Sequence, residues 1–212
     1  MRISVCLMLG LVLGACSGAA KGSRPDDMSV AGHREASEAE AREAEQHEGR
    51  FDPDARATRG GRPGGVRANL PFAEREYNPT AHHESEGAEH REHARQHEQA
   101  AKALEAFEDA SCSQIAPTVR GACPLGAIAG TTLLQNGVRL TVAAGTPVEA
   151  VVAHMRCHVA YARSKALVGM DGCALYLRGL QVALSADGKS VEVTSDDPEV
   201  VKALQARLTS AP

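Results

Sequence analysis

Apolar positions recur with clear periodicity only in the second half of the chain. There, Val148, Val151, Val152, Met155 and Val159 fall at helical spacing and predict a helix with one buried face. Thr146 as N-cap, Pro147 at the first helical position and Glu149 at the third supply its start signal. Upstream, residues 127–134 and 138–143 read as strands joined at Asn136-Gly137, a pair that tolerates positive φ in a tight hairpin. Downstream, residues 174–184 alternate, Ala186-Asp187-Gly188 turns, and residues 190–194 return. Asp196 or Asp197 before Pro198 starts a last helix.

The two halves of this region echo each other. Cys123-Pro124-Leu125 recurs as Cys173-Ala174-Leu175, and Leu140-Thr141-Val142 as Val191-Glu192-Val193. Thr146 to Glu149 is matched around Asp196 to Glu199, and Ala153 and Arg156 by Leu204 and Arg207. The order holds throughout, as a duplicated unit requires. The predicted class is α+β: a tandem ββα repeat (ββαββα) with an antiparallel sheet of about four strands covered by helices on one face.

A long helix leads into this domain, over residues 81–111. His90, His93, His97, Ala100, Leu104 and Phe107 share one of its faces, so Leu104 and Phe107 are expected to pack on the domain. Before it, patterning fails. Residues 33–48 favour a helix, but their apolar residues are alanines and offer no face to bury. Residues 59–65, Arg-Gly-Gly-Arg-Pro-Gly-Gly, interrupt any regular element. Charge sharpens the division: residues 17–110 hold 13 Lys and Arg against 20 Asp and Glu, residues 111–212 hold 9 against 7. Residues 16–80 are therefore expected to form a disordered, charged tether. The net charge of −4 argues against a nucleic-acid partner held by phosphate contacts.

The N-terminus carries an address. Met1-Arg2 is a positive start, residues 3–13 are apolar, and Leu13-Gly14-Ala15-Cys16 follows, then Ser17. Residues 1–15 with Cys16 resemble the signal peptide and lipobox of bacterial lipoproteins. The resemblance implies lipidation of Cys16 and a membrane partner reached through its acyl chains, which together anchor firmly. Ser17 in place of Asp implies the outer membrane, with the protein facing the periplasm. Cys6 would leave with the signal.

An oxidising compartment makes disulfides the expected fate of the remaining Cys112, Cys123, Cys157 and Cys173. The repeat favours Cys112–Cys123 and Cys157–Cys173. A thiolate metal site is the rival reading, without a Cys-x-x-Cys to support it.

Two groups of histidines could hold a transition metal. His154 and His158 stand one helical turn apart in residues 112–212, and His93 and His97 do so on the leading helix. The bland alternative is solvated rim histidines. No cofactor is otherwise implied. Nucleophile-elbow, zinc-protease and phosphate-loop motifs are absent, so no enzyme is expected. The leading expectation is a non-enzymatic envelope lipoprotein acting through a protein partner. The alternative is periplasmic binding or buffering of Zn, Cu or Ni through His154/His158 and the His-rich helix.

Overall fold

The computed structural model describes residues 19–58, 76–170 and 172–209. The lipobox, Cys6 and Cys16 lie outside the described residues, as do residues 59–75 of the expected tether.

Two long helices open the fold. Helix α1 spans Val30–Arg50 and α2 spans Ala81–Cys112. Between them, β1 (Ala57–Thr58) pairs antiparallel with β2 (Glu76–Tyr77). Helix α1 runs antiparallel to the first half of α2 and packs along it. The expectation of a disordered tether over residues 16–80 is therefore corrected for α1. That helix lacks an aliphatic face but does not need one, because small and imidazole side chains interlock with the same kinds on α2. Ala44 is buried against the backbone of α2 at Gly87, where a Cβ would touch the Ala44 carbonyl at 3.5 Å. The helix also starts earlier than its propensity suggests: the Ser29 hydroxyl accepts a hydrogen bond from the Gly32 amide at 3.1 Å.

Order extends toward the N-terminus. Ala20 is buried and its amide donates to Gln96 Oε1 at 2.7 Å. Asp26 pairs with Arg163, and its carbonyl accepts from Arg178.

The remaining elements are β3 (Ile128–Leu134), β4 (Gly137–Val142), α3 (Val148–Ser164), β5 (Gln181–Leu184), β6 (Ser190–Thr194) and α4 (Pro198–Thr209). The strands form one antiparallel sheet in the order β3-β4-β6-β5. The α+β class and the four-stranded antiparallel sheet agree with the sequence reading. Val138, Leu140 and Val142 of β4 and Val191 and Val193 of β6 face the helices. There they meet Val151, Val152 and Met155 of α3 and Leu204 of α4. Leu140 pairs with Val191, and both are fully buried. The opposite face is solvated, with Arg139 bonded across strands to Glu192 at 2.8 Å.

Local details differ from the patterning. Helix α3 begins one residue late, with Pro147 as N-cap and no side-chain cap. The β3–β4 turn uses Gln135 and Asn136, and Gly137 is already paired with Leu134. Gly137 is required by space: a Cβ there would lie 2.0 Å from the Val193 carbonyl of β6. Strand β5 keeps only the last four residues of the expected segment. Leu175 before it is buried in a loop, because Gly179, with φ +74°, breaks the extended run.

The disulfide set matches expectation but the pairing does not. The bonds are Cys112–Cys157 and Cys123–Cys173. Helix α3 lies back against the end of α2, bringing the Cys112 and Cys157 Cα atoms to 4.5 Å. The nearest cysteine in space is thus not the nearest in sequence. The same junction holds Glu108, which accepts from Arg120 at 2.8 Å and from the Ser164 hydroxyl at 2.6 Å. Leu104 is buried here as expected. Phe107 is 42% exposed, with the Arg163 guanidinium 5.0 Å above its ring.

Candidate metal centre

The contact between α1 and α2 is built on a seven-residue period. On α1 the seam reads His33, Ser37, Glu40, Ala44, His47; on α2 it reads His83, Gly87, His90, Ala94, His97, Ala101, Leu104. Spacings alternate four and three, as in a coiled coil, but most seam positions carry imidazole or a very small side chain instead of Leu. Polar layers therefore alternate with close backbone approaches. His33 meets His97, Ser37 donates to the Ala94 carbonyl at 2.9 Å, Glu40 meets His90, and His47 meets His83.

Two layers converge three ligand-type side chains each. His47, His83 and Glu86 form one group and Glu40, His90 and His93 the other; within each, the ligand atoms lie within 4.8 Å of one another. In the first, His47 Nδ1 stands 3.0 Å from His83 Nδ1 and 3.0 Å from Glu86 Oε2, and His83 Nδ1 is 3.5 Å from the same oxygen. Two donors bound to one tetrahedral zinc ion at its usual bond lengths stand about 3.3 Å apart. The three atoms thus already sit near the corners a metal would impose. In the second group, Glu40 Oε2 lies 2.6 Å from His90 Nδ1 and 3.7 Å from His93 Nδ1. The groups adjoin, since His47 and His90 stack with ring centroids 5.4 Å apart. The His47 and His83 side chains keep 16% and 18% exposure, enough for an ion to reach them.

The His33–His97 layer is different. Both rings are buried, their Nδ1 atoms are 3.2 Å apart, and His33 Nε2 lies 3.3 Å from the Pro25 carbonyl. The His97 imidazole is held below its ordinary pKa, first by burial and next by His33. It is a closed pair, sealed from solvent on both sides.

The four histidines singled out from sequence thus separate. His93 joins His90 and Glu40, whereas His97 faces His33. His154 and His158 do not converge on one point: His154 Nε2 is 3.2 Å from the Val119 carbonyl and His158 Nδ1 is 3.1 Å from that of Arg120. His158 instead lies with Cys123 and Cys173, which are bonded to each other. His90 lies on the helical stripe predicted for α2, whereas His33, Glu40, His47, His83 and Glu86 do not. For all of these but Glu86, which lies beside the seam, the signal is the alternating four-three spacing of His, Ser, Glu, Ala and Gly on the two segments.

A cavity of about 750 Å³ lies between α3 and β5, lined by Phe107, Leu177, Val182 and three arginines. Its guanidiniums are already engaged within the chain: Arg156 with the Val182 carbonyl, Arg163 with the Asp26 carboxylate, Arg178 with the Asp26 carbonyl. Among the described residues no helix is long and apolar enough to cross a membrane. No family model, curated protein or solved structure matches the chain.

Proposed function

We propose that this chain is a lipid-anchored bacterial envelope protein that binds a divalent transition metal in the α1/α2 seam, in a non-enzymatic role. One observation carries the metal reading: His47, His83 and Glu86, from two helices, hold three donor atoms at spacings close to those a bound ion requires. A 2-His-1-carboxylate set with open positions suits Zn, Ni or Cu better than Mg or Ca. Each imidazole would give its Nδ1 lone pair and keep its proton on Nε2, so binding weakens as pH falls. The seam also gives metal something to do. With little apolar area to bury, the hairpin gains stability from any ion that binds only the folded form, about 2.7 kcal/mol at a hundred times the dissociation constant.

The anchor reading rests on Leu13-Gly14-Ala15-Cys16. The described residues begin at 19, three positions past Cys16, so a lipid there would hold the body close to the outer membrane's periplasmic surface. The sheet domain reads as two copies of a ββα unit. In support, positions 51 apart in sequence, Leu140 and Val191, pair with each other where β4 meets β6, as a two-fold between copies requires.

The test is the metal content of the mature chain, exported and purified without a histidine tag or chelator, beside His47→Ala/His83→Ala and Glu86→Gln variants. Metal at molar stoichiometry that is lost in the double variant and weakened in Glu86→Gln supports the reading. A chain that stays metal-free after incubation with Zn, Ni and Cu overturns it and leaves an envelope interaction domain as the better account.

A further inference from the structure

The two disulfides occupy unlike settings. Cys112 and Cys157 are 1% and 0% exposed and lie sealed where α2 meets α3. Cys123 is exposed, at the start of the short helical turn Pro124–Ala127, while its partner Cys173 is 5% exposed. A thiolate from solution can therefore reach Cys123 and not the other bond.

Beside this exposed disulfide lies a polar atom with nothing to bond. His158 is fully buried, and its Nε2 is the buried side-chain nitrogen or oxygen without a hydrogen-bond partner among the described residues. Buried polar groups are almost always satisfied, so an exception asks for a ligand or a role. The tautomer is fixed by the other nitrogen. Nδ1 lies 3.1 Å from the Arg120 carbonyl, which can only accept, so Nδ1 carries the proton and Nε2 the lone pair. Tyr176 stacks on the ring with centroids 4.7 Å apart, and its hydroxyl donates to the Gly121 carbonyl. A backbone carbonyl behind one imidazole nitrogen is the arrangement that orients metal-ligating histidines. The sulfurs of Cys123 and Cys173 and an imidazole nitrogen of His158 all lie within 4.8 Å of one another. Burial also keeps the His158 ring neutral, lowering its pKa despite the Arg120 hydrogen bond.

We infer that Cys123–Cys173 is a reducible bond whose opening creates a second metal site of two thiolates and the His158 imidazole, for a soft transition ion such as Zn(II) or Cu(I). The reductant is a dithiol. One of its thiolates attacks Cys123 Sγ and the S–S bond breaks, releasing Cys173 as a thiolate. The second thiolate of the reductant then displaces Cys123. The reductant ends as a disulfide and its two protons pass to the two cysteines. Metal binding returns those two protons to solvent as the thiols become thiolate ligands, while His158 contributes its lone pair without a proton change. Thiolate ligands select different ions from the imidazole–carboxylate seam of the α1/α2 hairpin. This site does not depend on that one.

The experiment uses the full mature chain under anaerobic conditions. Brief dithiothreitol treatment, alkylation and mass mapping should label Cys123 and Cys173 and leave Cys112 and Cys157 unlabelled. Cobalt(II), added as the probe to a separate reduced sample left unalkylated and freed of dithiothreitol, should give the intense near-ultraviolet thiolate-to-metal absorption only after reduction. Imidazole and carboxylate donors give no such band, so occupancy of the hairpin cannot mimic it. The band should vanish in Cys123→Ser and shift and weaken at least tenfold in affinity in His158→Gln. Opening of Cys112–Cys157 first, or reduction at Cys123–Cys173 with no thiolate band, overturns the inference. A band unchanged in a Cys123→Ser chain of native circular dichroism does so as well, and that variant leaves the buried imidazole in place should His158→Gln fail to fold.

Discussion

The α1/α2 hairpin and the β3–α4 domain solve the same packing problem with opposite materials. The domain buries Val138, Leu140, Val191, Val193 and Met155 completely, is stapled to its leading segment by Cys123–Cys173, and is tied to the end of α2 by Cys112–Cys157. Burial of this kind is indifferent to pH and ions. The hairpin buries alanines, one leucine and imidazoles, and its helices touch through hydrogen-bonded layers. Those layers depend on which ring nitrogens carry protons, as aliphatic packing does not. Stability is thus unconditional in one region and conditional in the other, and the conditional region holds two of the three groups of converging ligand-type side chains among the described residues.

The contrast is broken most directly by removing apolar volume. Leu140→Ala should cost about 3 kcal/mol, the usual loss for a fully buried leucine with its cavity. Denaturant unfolding followed by far-ultraviolet circular dichroism checks this, with the midpoint shifting and the slope unchanged. A loss below about 1 kcal/mol would mean that the sheet core is not the main source of stability.

Acid should divide the regions next. His97 has its pKa depressed by burial and by His33, although Glu40 and Asp27 oppose this. The unfolded chain then takes up a proton before the folded one. The contribution is fully present above the ordinary histidine pKa of about 6.5 and is lost as pH falls from there toward the folded value. Protonating both rings of the His33–His97 layer would also leave two donors facing each other. His158 shifts in the same direction, but it lies in a domain held by aliphatic packing and a bond at Cys123–Cys173. Protection of α1 amides from exchange, relative to the intrinsic rate at each pH, should fall between pH 7 and 5.5 far more than that of β4 and β6. Replacing the buried pair by His33→Leu/His97→Leu should remove much of the difference, since an apolar layer has nothing to titrate. Equal loss of protection in both regions would dissolve the distinction.

How well each region could be read in the sequence follows from the same chemistry. Aliphatic side chains at period two or 3.6 announce a buried face, so β3, β4, β6, α3 and α4 were legible within a residue or so. Strand β5 was overextended because Leu175 and Leu177 look like strand residues until Gly179 turns the chain. Helix α1 was discounted because its seam holds His, Ser, Glu and Ala, residues that usually face water. On α2, His93 is recognisable as a candidate ligand, and the predicted stripe shares His90, His97 and Leu104 with the seam while its other members, His93, Ala100 and Phe107, lie beside it. The side chains that complete the triads, His47 and Glu40, come from a segment no aliphatic pattern marks. The disulfide pairing was illegible for a related reason: it depends on how α3 lies against α2, a tertiary fact with no local signature.

Smaller effects should sort by region as well. Ser29→Ala removes the hydroxyl that caps α1 at the Gly32 amide and should cost about 1 kcal/mol of local stability, read as faster exchange confined to the first turns of α1.

The Arg139–Glu192 pair provides the weakest test and a useful control. It bridges β4 and β6 on the solvated face, with side chains 46% and 28% exposed. Cross-strand pairs of this kind contribute about 0.5 kcal/mol, reduced by salt. Arg139→Ala should therefore shift the unfolding midpoint slightly at low ionic strength and almost not at all in 1 M salt. The hairpin should not respond, since neither partner touches α1 or the seam of α2. A change in α1 exchange on this substitution would mean that the two regions unfold as one unit. The conditional seam would then borrow its stability from the sheet, and metal bound at His47, His83 and Glu86 would be expected to stabilise the whole chain rather than one helix pair.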